Sequence, residues 1–384
     1  MAAKRLCTHY HFSVCAGLAL LLVITGGGAA VLPEDRADAL YHSYDGGDVE
    51  ISGPSLLVLK KFGQNVAVTG NYYVDSVSSA SIDVVTTASP YSEERTEFSG
   101  SIDYLHGNSV MSLSYANSSE SDYDANTAGF GISMDMFGNM TTLSLGYAHG
   151  WDTVRRSDLP TFSEDVRRHN YRLGVSQVIT KDMILEVNYE GITDEGLLRN
   201  PYRQYRFLDI NGDIDTDFEV YPNTRTSSAV TLRSKYYLPW RAALSGEYRF
   251  FADTWGIDAH TLKFGYTHPL SGGWQVEGTY RYYTQTAADF YSDLFPFAGS
   301  QNFLARDKEL STFTSNTIGA KLSYDIFKSG WRAIDRGSVN LAYDLIWFDY
   351  DDFRDARVTG VTPGTEPLYK FTAGVLQLFV SLWF

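Results

Sequence analysis

The sequence predicts an all-β chain closed into a transmembrane antiparallel outer-membrane β-barrel, and three observations carry that reading. From about residue 64 onward, apolar and polar residues alternate in segments of roughly ten, separated by turn signals, which is the dyad pattern of a membrane-spanning strand. Aromatic residues make up 15% of the 384, with 27 tyrosines, an excess suited to membrane interfaces where one end of the ring is dry and the other wet. The last nine residues, LQLFVSLWF, form an uncharged strand with Leu376, Leu378, Val380, Leu382 and Phe384 on one face. In water such an edge would aggregate; it is stable if the edge is paired and the apolar face meets lipid.

Taken in chain order, Lys4 and Arg5 precede an apolar run from Val14 to Ile24, followed by Gly26-Gly27-Gly28-Ala29-Ala30. That is the order of a secretory signal peptide, so residues 1–30 are expected to be removed, leaving Val31 first. Its apolar core, about 11 residues, is too short for a helical span, which needs about 20. Residues 31–62 read as an N-terminal periplasmic segment or an extra strand pair, the latter because Leu56–Lys60 is apolar. Residues 63–384 read as the barrel.

Within it, Val66, Val68, Tyr72 and Val74 alternate with polar neighbours. Ile102 and Tyr104, then Met111, Leu113 and Tyr115, flank His106-Gly107-Asn108, and Leu143, Leu145 and Tyr147 follow Gly138-Asn139. Tyr171, Leu173 and Val175 turn at Thr180-Lys181-Asp182 into Leu185, Val187 and Tyr189. The pattern repeats through Leu232, Tyr248, Leu262, Tyr280, Leu322 and Leu341 to the closing strand. Short turns near 63, 107, 138, 181, 239, 271 and 330 interleave with longer polar stretches at 77–93, 118–126, 150–166, 194–222, 287–308 and 350–367. Barrels of the outer membrane have short periplasmic turns and longer external loops. Only Asp253-Thr254-Trp255-Gly256 is short on the long-loop side. Counting between these marks gives 14 strands; the Leu56–Lys60 pair would make 16. A soluble sandwich would have shorter strands and a solvated polar face, and it would leave the terminal aromatic unexplained. Phe384 resembles the C-terminal signal read by the outer-membrane assembly machinery, which is an expected partner together with outer-membrane lipid.

Composition excludes several functions. Both cysteines, Cys7 and Cys15, lie in the leader, so the exported chain has no disulfide, thiolate metal site or catalytic thiol. Lys4 and Arg5 are the leader's only formal charges, so its removal takes the net charge from -15 to -17, a poor balance for nucleic acid.

Charged residues alternate against the apolar positions: Glu186, Glu190, Arg233, Lys235, Glu247, Arg249, Lys263, Glu277, Arg281, Lys321 and Asp344. A basic side chain facing lipid at mid-membrane costs about 2–4 kcal/mol, so these are expected to line the lumen. They suit either a water-filled passage that selects solutes or cross-strand ion pairs that stiffen the wall. Parity sets Leu322 and Leu345 outward. In the loop after residue 208, Asp209, Asn211, Asp213, Asp215 and Asp217 alternate as oxygen donors for a hard cation such as Ca²⁺. The EF-hand pattern is broken there, with Ile214 at its glycine position and Val220 at its glutamate position. Catalysis is not expected: His106, His149, His169, His260 and His268 stand singly in turns or near strand ends, with no serine or aspartate brought to them by the sequence.

The stretches YHSYDGGDVEISGPSLLV, GYAHGWDTV, NYEGITDEGLLRNPYR, GEYRFFADTWGIDAHT and RYYTQTAADFYSDLFPFAGSQNFLARDKELSTFTSNTIG resemble the bacterial outer-membrane family called domain of unknown function 3570. The likeness runs from about residue 40 to the C-terminus. It implies a barrel and carries over no catalytic residue. Members are often encoded beside a periplasmic flavin transferase, small lipoproteins and thioredoxin-like proteins, so it also implies envelope redox or metal handling. Two roles follow as expectations: a channel or transport component with a charged lumen, or a sheath around a periplasmic lipoprotein or electron carrier.

Overall fold

The computed structural model describes residues 30–79 and 91–384. The expected leader, apart from Ala30, and the centre of the stretch at 77–93 lie outside the described residues. The first half of the barrel comprises β1 (Arg36–Gly46), β2 (Val49–Phe62), β3 (Val66–Ser79), β4 (Tyr91–His106), β5 (Ser109–Ser119), β6 (Tyr123–Met136), β7 (Thr141–Arg155) and β8 (Ser163–Thr180). After β9 (Met183–Gly196), the hairpin β10 (Gln204–Leu208) and β11 (Ile214–Phe218) stands apart as its own sheet. The barrel resumes with β12 (Thr224–Tyr237), β13 (Ala243–Asp253), β14 (Asp258–Pro269), β15 (Trp274–Gln285), β16 (Phe313–Ile326), β17 (Arg336–Arg354) and β18 (Leu368–Trp383).

Each strand pairs antiparallel with its neighbours, and β18 returns to β1 from Arg36↔Trp383 to Gly46↔Ala373, closing the sheet. Sixteen strands among the described residues form the barrel, not fourteen. Residues 31–62 supply the additional pair, β1 and β2, joined by a two-residue turn in which Gly47 and Asp48 both have positive φ. That left-handed turn matches the twist of paired strands. The seam needs Gly46, because a Cβ there would lie 2.3 Å from the Cβ of Ala373. The terminal strand therefore has no free edge.

Side-chain parity divides outside from inside. Leu56, Phe98, Leu113, Phe130, Leu173, Leu232, Phe264, Ile318, Leu341 and Leu378 are all exposed, forming an apolar belt around the wall. A soluble surface does not carry a patch of that extent. At the end bearing the short turns, Trp240 donates to Tyr266 Oη at 3.3 Å and Trp274 packs on Tyr324 at 4.5 Å between centroids. At the other end Tyr115, Tyr147 and Trp151 gather around His149 and His169. Two aromatic rims about an apolar band, on a closed sheet, make this an outer-membrane barrel.

The strands overrun several of the expected loops. The connection between β5 and β6 is only residues 120–122, and β8 and β17 span 18 and 19 residues. A tilted spanning strand needs about 9–11 residues, so these extend past the bilayer.

Candidate functional site

The interior face is built by the residues alternate to the belt. Glu186, Arg233, Glu247, Lys263 and Arg281 stand directly opposite one another across β9, β12, β13, β14 and β15. Their outward neighbours Val187, Leu232, Tyr248, Leu262 and Tyr280 are exposed on the lipid side. The structure places Glu190, Lys235, Arg249, Glu277, Lys321 and Asp344 on the same interior face, in adjoining rows. Several pair: Arg233 reaches Glu247 at 2.5 Å and Glu186 at 3.3 Å, while Glu190 holds Arg172 at 3.2 Å and Arg249 at 3.6 Å.

Arg168, Arg172, Arg233, Lys235 and Lys263 point inward and are nevertheless exposed. Water-sized space therefore adjoins this wall. The carboxylates that accompany them, Glu186, Glu190, Asp194 and Glu247, are only partly exposed. Across the barrel the acids are tied down: Asp75 is buried against His42 at 2.7 Å and Arg95 at 3.0 Å, and Asp135 is buried and accepts from Thr142 at 2.6 Å. His42 also stacks on Tyr73 at 4.9 Å. This group joins His42 of the added strand β1 to Asp75 of β3 and Arg95 of β4, and sequence reasoning missed it. Its signal was the alternation Tyr41-His42-Ser43-Tyr44 before the Gly47-Asp48 turn.

The outer mouth is covered on one side. Alternation there is broken: Ile346, Phe348 and Tyr350 of β17 face inward and are buried with Tyr44, Val49, Ile51 and Val375. Tyr291, from the long loop between β15 and β16, packs on that patch, which is why the patch is apolar. The same loop packs on the β13–β14 turn through Trp255, Ile257, Phe290 and Leu310, with Leu198 and Tyr221 of the β9–β12 connection against that cluster, and on the β10–β11 hairpin through Phe207, Phe295 and Leu304.

A buried ionic knot fastens this cap. Asp293 receives Arg206 at 2.6 Å and Arg306 at 3.0 Å, and Arg206 also reaches Glu366 at 2.7 Å. Asp293, Arg206, Arg306 and Glu366 are 8%, 5%, 6% and 3% exposed. Arg306 lies 4.4 Å from the Phe353 ring centroid and donates its amide to Glu219. Arg203 pairs with Asp307, and Arg354 donates to the carbonyl of Glu366, tying cap to wall.

The other candidates fall elsewhere. Asp209, Asn211, Asp213, Asp215 and Asp217 occupy the exposed tip and second strand of the β10–β11 hairpin. The Asp209 carboxylate accepts from the amides of Asp213 and Asn211, both at 2.8 Å, and these bonds hold its pKa below the usual carboxylate range. Asp215 and Asp217 each accept from the next residue's amide, so the carboxylates turn to their own backbone rather than converge. Among the described residues no group of three or more His, Cys, Asp or Glu side chains forms a metal-holding cluster. His149 and His169 come together as cross-strand neighbours at 4.6 Å, on the lipid side. His260 and His268 hydrogen-bond Tyr248 and Tyr266, and His106 stacks on Tyr104. Phe384 directly follows the closing strand, with the Lys60 ammonium 4.9 Å from its ring centroid.

Residues 150–335 match the model of the family described as a protein of unknown function (DUF3570). The family resemblance is borne out there. That stretch holds β8 to β16, hence the basic wall and most of the cap. No curated protein matches the chain. Among solved structures it is similar to a bacterial polysaccharide outer-membrane secretin, with 9% identity over 91% of this chain and 98% of that one, at a TM-score of 0.47. It is similar to OccK2 (OpdF) of Pseudomonas aeruginosa, solved in complex with glucuronate, with 12% identity over 91% and 98% of the two chains and a TM-score of 0.43. The siderophore receptor PirA of the same organism shows 8% identity over 84% of this chain and 60% of its own, at a TM-score of 0.44.

Proposed function

We propose that this barrel is a channel or transport component that passes small hydrophilic solutes along its charged wall, beneath a cap that narrows the outer mouth. The observation that carries the reading is the exposure of Arg233, Lys235 and Lys263 toward the interior. Side chains of a solidly packed lumen would be buried, and a cation in that setting needs water or a partner. Its role is passage rather than catalysis. The link to envelope redox or metal handling implied by the family resemblance would come through periplasmic partners that load or empty the passage.

Purified protein in planar bilayers tests this. Discrete conductance steps are expected, small in the native protein and larger once the cap is loosened. A barrel that never conducts, and that co-purifies with a stoichiometric lipoprotein or electron carrier, would replace the channel with the sheath.

A further inference from the structure

Along the interior row, charge alternates through Glu186, Arg233 and Glu247 to Lys263, and then the alternation fails. Lys263 stands directly opposite Arg281. Like charges facing each other across a strand pair destabilise the ladder, and neither residue has an ion-pair partner within 4.0 Å among the described residues. Lys235, exposed on the same face of β12, likewise has none. Arg281 is braced by Tyr283, with its guanidinium 5.1 Å from the ring centroid. Two carboxylates share the region, Glu277 opposite Lys321 and Asp344 opposite Gly319 on the far side of β16, and both are only partly exposed.

We infer that Lys235, Lys263 and Arg281 form an anion site in the lumen, so that the barrel prefers small anions, carboxylates and phosphates among them, although the chain as a whole is acidic. This rests on the channel reading and names the solute class for it. The physical case is that the water in the lumen meets cations first. Glu186, Glu190 and Glu247 each neutralise a neighbouring arginine, and Asp75 and Asp135 are buried with hydrogen-bond donors, whereas among the described residues no carboxylate comes within 4.0 Å of these three bases, Glu277 and Asp344 included. An anion held between Lys263 and Arg281 relieves their repulsion, and several weak contacts along one wall bind loosely enough to release it.

The test is the reversal potential in a potassium chloride gradient, with chloride as the probe anion. The native barrel is expected to pass chloride several-fold more readily than potassium. Lys263→Gln with Arg281→Gln should bring the ratio to near unity or below, with heat-modifiability showing that the barrel still assembles. Asp344→Asn should keep or raise the anion preference. A conducting barrel that prefers potassium, or whose preference ignores the double variant, overturns the anion site and leaves the channel intact. Silence in both the native protein and the cap-loosened Asp293→Ala variant sinks the channel reading and the anion site with it.

Discussion

Arginines and carboxylates meet in two places in this molecule, and burial makes the two encounters opposite in kind. On the lumen wall, Arg233 bridges Glu186 and Glu247 while remaining exposed. In the cap, Arg206 and Arg306 converge on Asp293 with all three nearly sealed from solvent. An exposed pair contributes about 0–1 kcal/mol because water screens it and two long side chains must be ordered. A buried pair is costly to break, since the surviving charge is left without solvent or partner. The wall's charges are therefore free to act on solutes, and the cap's charges hold a structure together.

The sharpest way to break that contrast is Asp293→Ala, which leaves the buried Arg306 guanidinium without a carboxylate and Arg206 with Glu366 alone. It should cost the cap about 3–5 kcal/mol, read as protease nicking within residues 286–312 of an otherwise folded barrel. Resistance equal to the native protein would mean the knot is not what fastens the cap. Next in size is the lipid face. Ile318→Arg should cost about 2–4 kcal/mol at mid-membrane, whereas Asp344→Arg, on the interior beside it, should fold normally and shift ion preference. Denaturant titration of the detergent-folded variants would separate them, and equal midpoints would invalidate the assignment of faces. Arg233→Ala should change stability by at most about 1 kcal/mol while measurably altering conductance; a loss of folding would make that pair structural after all.

Acid is the mildest probe. Burial raises the Glu366 pKa, but the hydrogen bonds from Arg206 and from backbone amides outweigh it, so the net direction is downward. A carboxylate lowered in the folded state stabilises above its unfolded pKa, about 4.3, and that contribution fades as pH falls through the lower folded value. The cap should thus loosen below about pH 4, seen as increased nicking of residues 355–367. A cap that loosens instead as pH rises from neutral would contradict the sign.

Much of the barrel was legible because period-two alternation is a local property, visible in Leu341, Tyr343 and Leu345 without any fold. The count of strands was not. The pair β1 and β2 has weaker alternation, with Gly53-Pro54 interrupting β2 and interior positions such as Tyr44, Val49 and Ile51 that are as apolar as exterior ones. Those interior positions are apolar because the cap and the β17–β18 wall cover them, a contact between residues hundreds apart that no local pattern encodes. The knot was hidden for the same reason: Arg206, Asp293, Arg306 and Glu366 sit in three loops that read simply as polar. The interior charges were recognisable from parity, but the like-charged Lys263–Arg281 pairing needed the strand register.

The central claim, that cations line a water-filled interior, is tested most directly by thiol labelling in reconstituted vesicles. Residues 30–384 contain no cysteine, so a single introduced thiol reports alone. Lys263→Cys should react with a membrane-impermeant reagent, and Leu262→Cys, one residue away on the lipid face, should stay protected. Labelling at 262 with protection at 263 would show that every face assigned to β14 is inverted, and protection at both would show a lumen closed to water.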